Sequence, residues 1–367
     1  MCHCIAGARA CVDSWGVAEN EIAVNGFSPA DEWDEKKTKN PGGMVMNSRV
    51  LLSFTLLAVV WFGGLTETVH GQTGGTTGLS GESGQTDFSS LKQKALSGDA
   101  KAQYLVGQAY MTGTHVAQDY QEAARWYQQA ASRGSADAEF GLGFLYEHGK
   151  GVGQDFGQAV TFYTAAANQS HATAQNNLGS LYEHGQGVRK NMVEAARWYR
   201  LAADRGEVTA QCNLASLYFR GQGVAKDYTQ AATWFRTAAD RGYAPAQDNL
   251  AWMYYSGTGV ALDYSAAASW TRKSAEQGYA PAQVDFGYLY EQGKGVPLDY
   301  VRAYKWYKLA AAGGDGRGLA RMKSLARLMT QNQIIEASDR AAHFPGPKSP
   351  AENPSTANSF RSSFKER

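Results

Sequence analysis

Within the stretch His171–Gly206, Ala174, Leu178, Leu181 and Tyr182 fall at i, i+4, i+7 and i+8. That spacing puts them on one face of a helix. The pattern stops at Gly185, and Gly185-Gln186-Gly187-Val188 supplies residues able to take the positive φ of a tight turn. A second helix is predicted to start near Asn191, whose side chain can accept from orphan backbone donors, with Glu194 completing a capping box. Asp119/Glu122, Asp155/Gln158 and Asp227/Gln230 repeat the box, whereas Asp263 and Asp299 keep only the cap. Ala195, Trp198, Tyr199 and Ala202 form the inward face of this second helix, and Gly206 ends it.

The same pattern recurs every 36 residues. Six copies run in tandem from Asp99 to Gly314 without insertion (99–134, 135–170, 171–206, 207–242, 243–278 and 279–314). A fixed period of this size marks a solenoid, in which each unit stacks only on its neighbours. Gly107, Gly143, Gly179 and Gly287, with Ala215 and Ala251 at the same place, let the paired helices approach closely. Trp126, Trp198, Trp234, Trp270 and Trp306, with Phe162 in the second copy, fill the space between repeats. The ends differ. Residues 87–98 read as a lead-in helix whose Phe88, Leu91 and Leu96 cover the first repeat. Residues 315–343 read as a capping helix pair, Gly318–Met329 followed by one that Thr330 and Gln333 open with a capping box.

Upstream, Arg49 precedes an apolar run, Val50–Phe62, interrupted only by Ser53 and Thr55. This run is shorter than the roughly 20 residues of a spanning helix and fits the core of a secretory signal. Residues 44–71 are therefore read as a signal peptide, or alternatively as an uncleaved signal anchor. Residues 1–43 are read as an unstructured, over-extended start. Either way the repeats are expected beyond a membrane, in the periplasm or secreted. Residues 72–86, rich in Gly, Thr and Ser, read as a flexible linker, and 344–367 as a disordered tail.

Charge narrows the partners. Residues 1–43 carry −3 and 315–367 carry +4, which leaves the repeats formally neutral. A neutral array with no basic stripe argues against nucleic acid. Of four cysteines, Cys2, Cys4 and Cys11 precede the processing point and only Cys212 follows it, so no disulfide framework and no metal knuckle is expected. His148 and His184 share a place in neighbouring copies without a recurring third ligand, so no metal or other cofactor is assigned.

The repeat unit resembles the Sel-one-like repeat, a relative of the tetratricopeptide repeat. In one copy the resemblance rests on Ala174, Leu178, Gly179, Leu181, Tyr182, Gly185, Gly187, Val188, Ala195, Trp198, Tyr199, Ala202, Ala203 and Gly206. His115, standing where the other copies have glycine, and Thr271, replacing the second aromatic, depart from it. The resemblance implies an all-α, right-handed α-solenoid of six 36-residue helix-turn-helix repeats with helical caps. It also implies a scaffold for protein complexes; the caps at both ends argue against self-stacking, so a monomer is expected. The cysteine-rich branch reported to handle β-lactams has a disulfide in each repeat; this chain lacks those pairs.

In the tetratricopeptide relatives the first helix of each pair lines a concave groove. Carried over by position, an asparagine ladder, Asn177, Asn213 and Asn249, faces that groove, where amides can pair with the backbone of an extended peptide. The competing reading bonds these amides across repeats to neighbouring backbone. Around them the groove is expected to present Asn176, Ser180, Glu183, His184, Phe219, Arg220, Asp248, Trp252 and Tyr255. For Trp252 and Tyr255, packing between repeats competes with ligand contact. The expected partner is a protein or peptide, bound by an adaptor or regulator of the cell envelope. An envelope protein or enzyme acting on peptidoglycan or a β-lactam is the alternative. Its only motif support is S-x-x-K at Ser89–Lys92 and Ser362–Lys365, without the accompanying S-D-N or K-T-G.

Overall fold

The computed structural model describes residues 82–345. The expected start, signal segment and most of the tail, including Ser362–Lys365, lie outside the described residues. Among the described residues there are fifteen α-helices, one short 3-10 turn and no strand. The lead-in is α1 (Glu82–Leu96). First and second helices then alternate as α2 (Ala100–Thr112), α3 (Tyr120–Ala131), α4 (Ala136–His148), α5 (Phe156–Asn168), α6 (Ala172–His184), α7 (Met192–Asp204), α8 (Val208–Arg220), α9 (Tyr228–Asp240), α10 (Ala244–Ser256), α11 (Tyr264–Glu276), α12 (Ala280–Gln292) and α13 (Tyr300–Ala312). The cap is α14 (Gly316–Leu325), the 3-10 turn Ala326–Leu328 and α15 (Gln331–Ala342). Each first helix packs on its own second helix, and that one on the next first helix, as a solenoid requires.

Two ends differ from the sequence reading. The lead-in helix begins at Glu82, inside the stretch expected to be linker. Its inward face uses Phe88, Leu91 and the fully buried Ala95, while Leu96 is 63% exposed. The first cap helix ends at Leu325 and tightens into the 3-10 turn instead of running to Met329.

The second helices are capped as expected, but by half of the expected device. Asn191 Oδ1 accepts from the backbone of Val193 and Glu194, at 3.1 and 3.2 Å. The return bond from Glu194 does not form, because the Asn191 backbone N–H already donates to the Tyr182 carbonyl at 2.9 Å. The same closure joins Asp119 to Tyr110, Asp155 to Tyr146, Asp227 to Tyr218, Asp263 to Tyr254 and Asp299 to Tyr290. Glu122 and Glu194 turn instead to Arg125 and Arg197. The full reciprocal box occurs at Thr330/Gln333.

The small residues of the first helices each face the aromatic of their own second helix. A Cβ on Gly179 would lie 2.8 Å from the Tyr199 ring, and one on Gly143 2.5 Å from Tyr163. Where alanine replaces glycine, at Ala215 and Ala251, the residue at the aromatic's place is Phe235 and Thr271. The tryptophans divide: Trp126, Trp198 and Trp306 are buried, whereas Trp234 and Trp270 are half-buried, as is Phe162.

Candidate functional site

The face formed by the first helices carries the expected groove residues, but much of it is tied down by its own hydrogen bonds. The asparagine ladder is an internal one. Asn213 Nδ2 donates to Asn176 Oδ1 at 3.0 Å, across a repeat boundary. Asn176 Nδ2 donates to Asn177 Oδ1 at 3.3 Å, and Asn177 Nδ2 to the Tyr163 hydroxyl at 3.2 Å. One repeat further on, Asn249 Nδ2 lies 4.0 Å from Cys212 Sγ. The amides therefore meet side chains of their own and of neighbouring repeats. Asn176, Asn213 and Asn249, expected to be presented to a ligand, are buried; Asn177 is half-buried. Packing of each first helix between two second helices encloses these places, and the bonds among Asn176, Asn177 and Asn213 offset the cost of burying their amides.

Glu183 is buried as well, and has a structural partner set. It accepts from the Tyr199 hydroxyl at 2.8 Å and from Arg220 Nη2 at 3.0 Å. The same tyrosine-to-glutamate bond joins Tyr163 to Glu147 at 2.6 Å, and Tyr307 to Glu291. From the second copy onward the two residues change together; the first copy keeps Tyr127 but has Met111 at the glutamate place. Where the hydroxyl is lost, at Phe235 and Thr271, the glutamate place holds Phe219 and Tyr255.

The half-buried members of the predicted set are Ser180, Phe219, Arg220, Trp252 and Tyr255, and His184 is exposed. His184 Nδ1 lies 2.8 Å from the Ser180 carbonyl oxygen. The Phe219 ring meets Trp252 edge-on at 5.5 Å and Tyr228 at 5.1 Å. Tyr255 contacts Tyr264 and Tyr288, and its hydroxyl accepts from Lys294 Nζ at 2.9 Å. This aromatic row, with Ser180, Arg220 and the exposed His184, is open to solvent.

Two features were missed by sequence reasoning. A glutamine at the fifth place of five copies donates through Nε2 to a carbonyl in the last turn of the preceding second helix: Gln103 to Ala95, Gln175 to Ala167, Gln211 to Ala203, Gln247 to Ala239 and Gln283 to Ala275. Each of these carbonyls also accepts from the backbone N–H three residues on, so the glutamine is a second donor to the helix end and stitches two units together. The second feature continues the ladder. Adding the 36-residue period to Asn249 reaches Asp285, then Arg321 of the cap helix.

At that end the rung formed earlier by Asn176 and Asn213 is occupied by Asp248 and Asp285. Both are buried, and Arg317, Arg321 and Asp315 stand near them. Burial pushes the Asp248 carboxyl up to about 7, against the pull of the Arg317 guanidinium. Burial and the charge of Asp248 raise Asp285 well above the usual carboxylate range. Asp248, expected in the groove, thus lies at its floor.

Six successive Sel1 repeats match the chain, at 100–135, 136–171, 172–207, 208–243, 244–279 and 280–315. The chain belongs to the Sel1 repeat family. Sel1 repeats form scaffolds that mediate contacts between proteins. Two solved structures share the fold at appreciable identity. One is c5321, described as a protective antigen of uropathogenic Escherichia coli with an SLR fold: 35% identity, 70% of this chain and 56% of that one, TM-score 0.63. The other is a Sel1 repeat protein from Oxalobacter formigenes: 32% identity, 62% of this chain and 91% of that one, TM-score 0.58. This Sel1 chain thus spans little more than half the length of c5321. No curated protein matches it. Lys92 of the S-x-x-K stretch is engaged with Tyr110, its Nζ lying 3.4 Å from the hydroxyl. Among the described residues, no helix is long and apolar enough to cross a membrane, and no three potential metal ligands cluster.

Proposed function

We propose that the first-helix face, the concave face of the solenoid, binds an extended segment of a partner protein, and that the chain is an exported adaptor or regulator of the cell envelope. The observation that carries the binding reading is the row Phe219, Trp252 and Tyr255, half-buried beside Ser180 and His184 while the amides beneath are already paired. Aromatic rings over a satisfied polar floor offer apolar anchorage without unpaired groups left behind. Export is supported by Arg49 and the apolar run that follows it, and by likeness to a protein described as a protective antigen.

The buried amides make poor probes, because replacing them breaks contacts between repeats. Ser180→Arg and Trp252→Ala alter the open part of the face. From an envelope extract, the intact chain is expected to retain a partner that both variants release at least about tenfold more readily, the loss of a contact worth about 1.4 kcal/mol. Both variants should keep the helical circular dichroism of the parent. Equal retention by folded variants would place binding elsewhere.

A further inference from the structure

The Asp248/Asp285 rung is the place on the first-helix face where two buried carboxyl groups adjoin. The two residues are 8% and 4% exposed, and among the described residues neither carboxylate has a hydrogen bond or an ion pair. The nearby cations have carboxylates of their own. Arg317 is held by both oxygens of Asp315, at 3.2 and 2.8 Å. Arg321 reaches Glu291 at 3.6 Å and lies over the Tyr288 ring, 4.6 Å from its centroid. Four acids thus face two bases. The preceding rungs on the same face, Asn176 with Asn213 and Cys212 with Asn249, carry no charge, so the excess is confined to one end.

A carboxylate only accepts hydrogen bonds, so the missing complement is a donor with positive charge. Trp252 stands four residues after Asp248, one turn along α10, and its half-buried ring offers a surface for an aliphatic stem or a cation. We infer that this rung receives a lysine or arginine side chain of the partner segment and fixes the register in which that segment lies along the groove. The inference rests on the groove-binding reading above and adds the chemistry of the partner.

The pair also sets a pH dependence. The charged groups acting on it are Asp315, Arg317 and Arg321 from the cap, with Glu291 of α12 beside Arg321. With Asp285 raised well above the carboxylate range and Asp248 to about 7, the empty rung keeps one proton at neutrality and takes up a second just below it, and an arriving cation displaces that second proton. Affinity therefore rises with pH through that value. A single competing proton of this affinity weakens binding about tenfold between pH 8 and pH 6.

The test is a positional-scanning library of random extended peptides, selected on the full chain and on Asp248→Asn/Asp285→Asn. Amides already fill the equivalent rung at Asn176 and Asn213, so the double variant is expected to fold. Peptides retained by the parent should be enriched about tenfold in Lys or Arg at one position and bind about tenfold less tightly at pH 6 than at pH 8. The double variant should keep the other preferences but lose both effects. Peptides retained without a basic preference, or a preference surviving in the double variant, would overturn the inference and leave the groove reading standing. No retention of any peptide would overturn both.

Discussion

Gly223→Ala is expected to destabilise the array by about 3 kcal/mol or more, because it combines two costs, backbone strain and an overlap with no room to relax. Gly223 sits at φ +71°, and a Cβ there would lie 1.9 Å from the Met192 carbonyl oxygen and 2.3 Å from its carbon. Met192 is the first residue of the preceding repeat's second helix, so the overlap is backbone on backbone across a repeat junction. Gly151, Gly187, Gly259 and Gly295 meet Tyr120, Phe156, Tyr228 and Tyr264 in the same way. The first copy explains the exception. His115 takes φ 66° with a side chain in place, and no full repeat precedes it to supply that contact. His115→Gly should therefore relieve left-handed strain and raise stability by about 1 kcal/mol. Thermal and urea unfolding of the two variants checks both signs. A Gly223→Ala protein as stable as its parent would contradict the junction geometry.

Trp198→Ala should cost about 3–5 kcal/mol, the range for removing a large buried aromatic. Trp198 is 7% exposed and packs with Phe140, Tyr163, Leu178 and Leu181, side chains from two successive repeats. Its loss opens a cavity at a junction, and in a nearest-neighbour array a weakened junction uncouples the parts on either side. Urea unfolding is expected to change from one transition to two. Trp234→Ala is the comparison, because Trp234 holds the equivalent place but is half-buried. It should cost less than half as much and keep a single transition. Equal losses at the two sites would show that burial does not set the cost.

The architecture was legible because each of its signals is local and repeated six times. Apolar spacing gave the helices, Gly185 and Gly187 the turn, and Asn191 the start of the second helix. What the sequence hid concerns polar residues whose surroundings come from another repeat. Gln175 and Asn213 look like surface residues on a helical wheel, yet one binds the Ala167 carbonyl and the other the Asn176 amide. Nothing within one copy shows that its first helix is flanked on both sides. Comparing copies does carry part of that information. Glu147, Glu183 and Glu291 occur with Tyr163, Tyr199 and Tyr307, and the glutamate is absent where the tyrosine is replaced, by Phe235 and Thr271; the first copy, with Met111 and Tyr127, departs from the pairing. Asp285 and Arg321 were within reach of the same reasoning, since they follow Asn249 at one and two periods. The change of residue type conceals them, because the position is kept while the amide gives way to charge.

The placement of the partner is tested most directly by photo-crosslinking from single sites. A photoreactive residue replaces Trp252 on the first-helix face, or the exposed Thr233 on α9 as the opposing position. Illumination in the presence of envelope extract should give a discrete crosslinked band from position 252 and none from 233. A band from 233 alone would put the partner on the second helices and contradict the account.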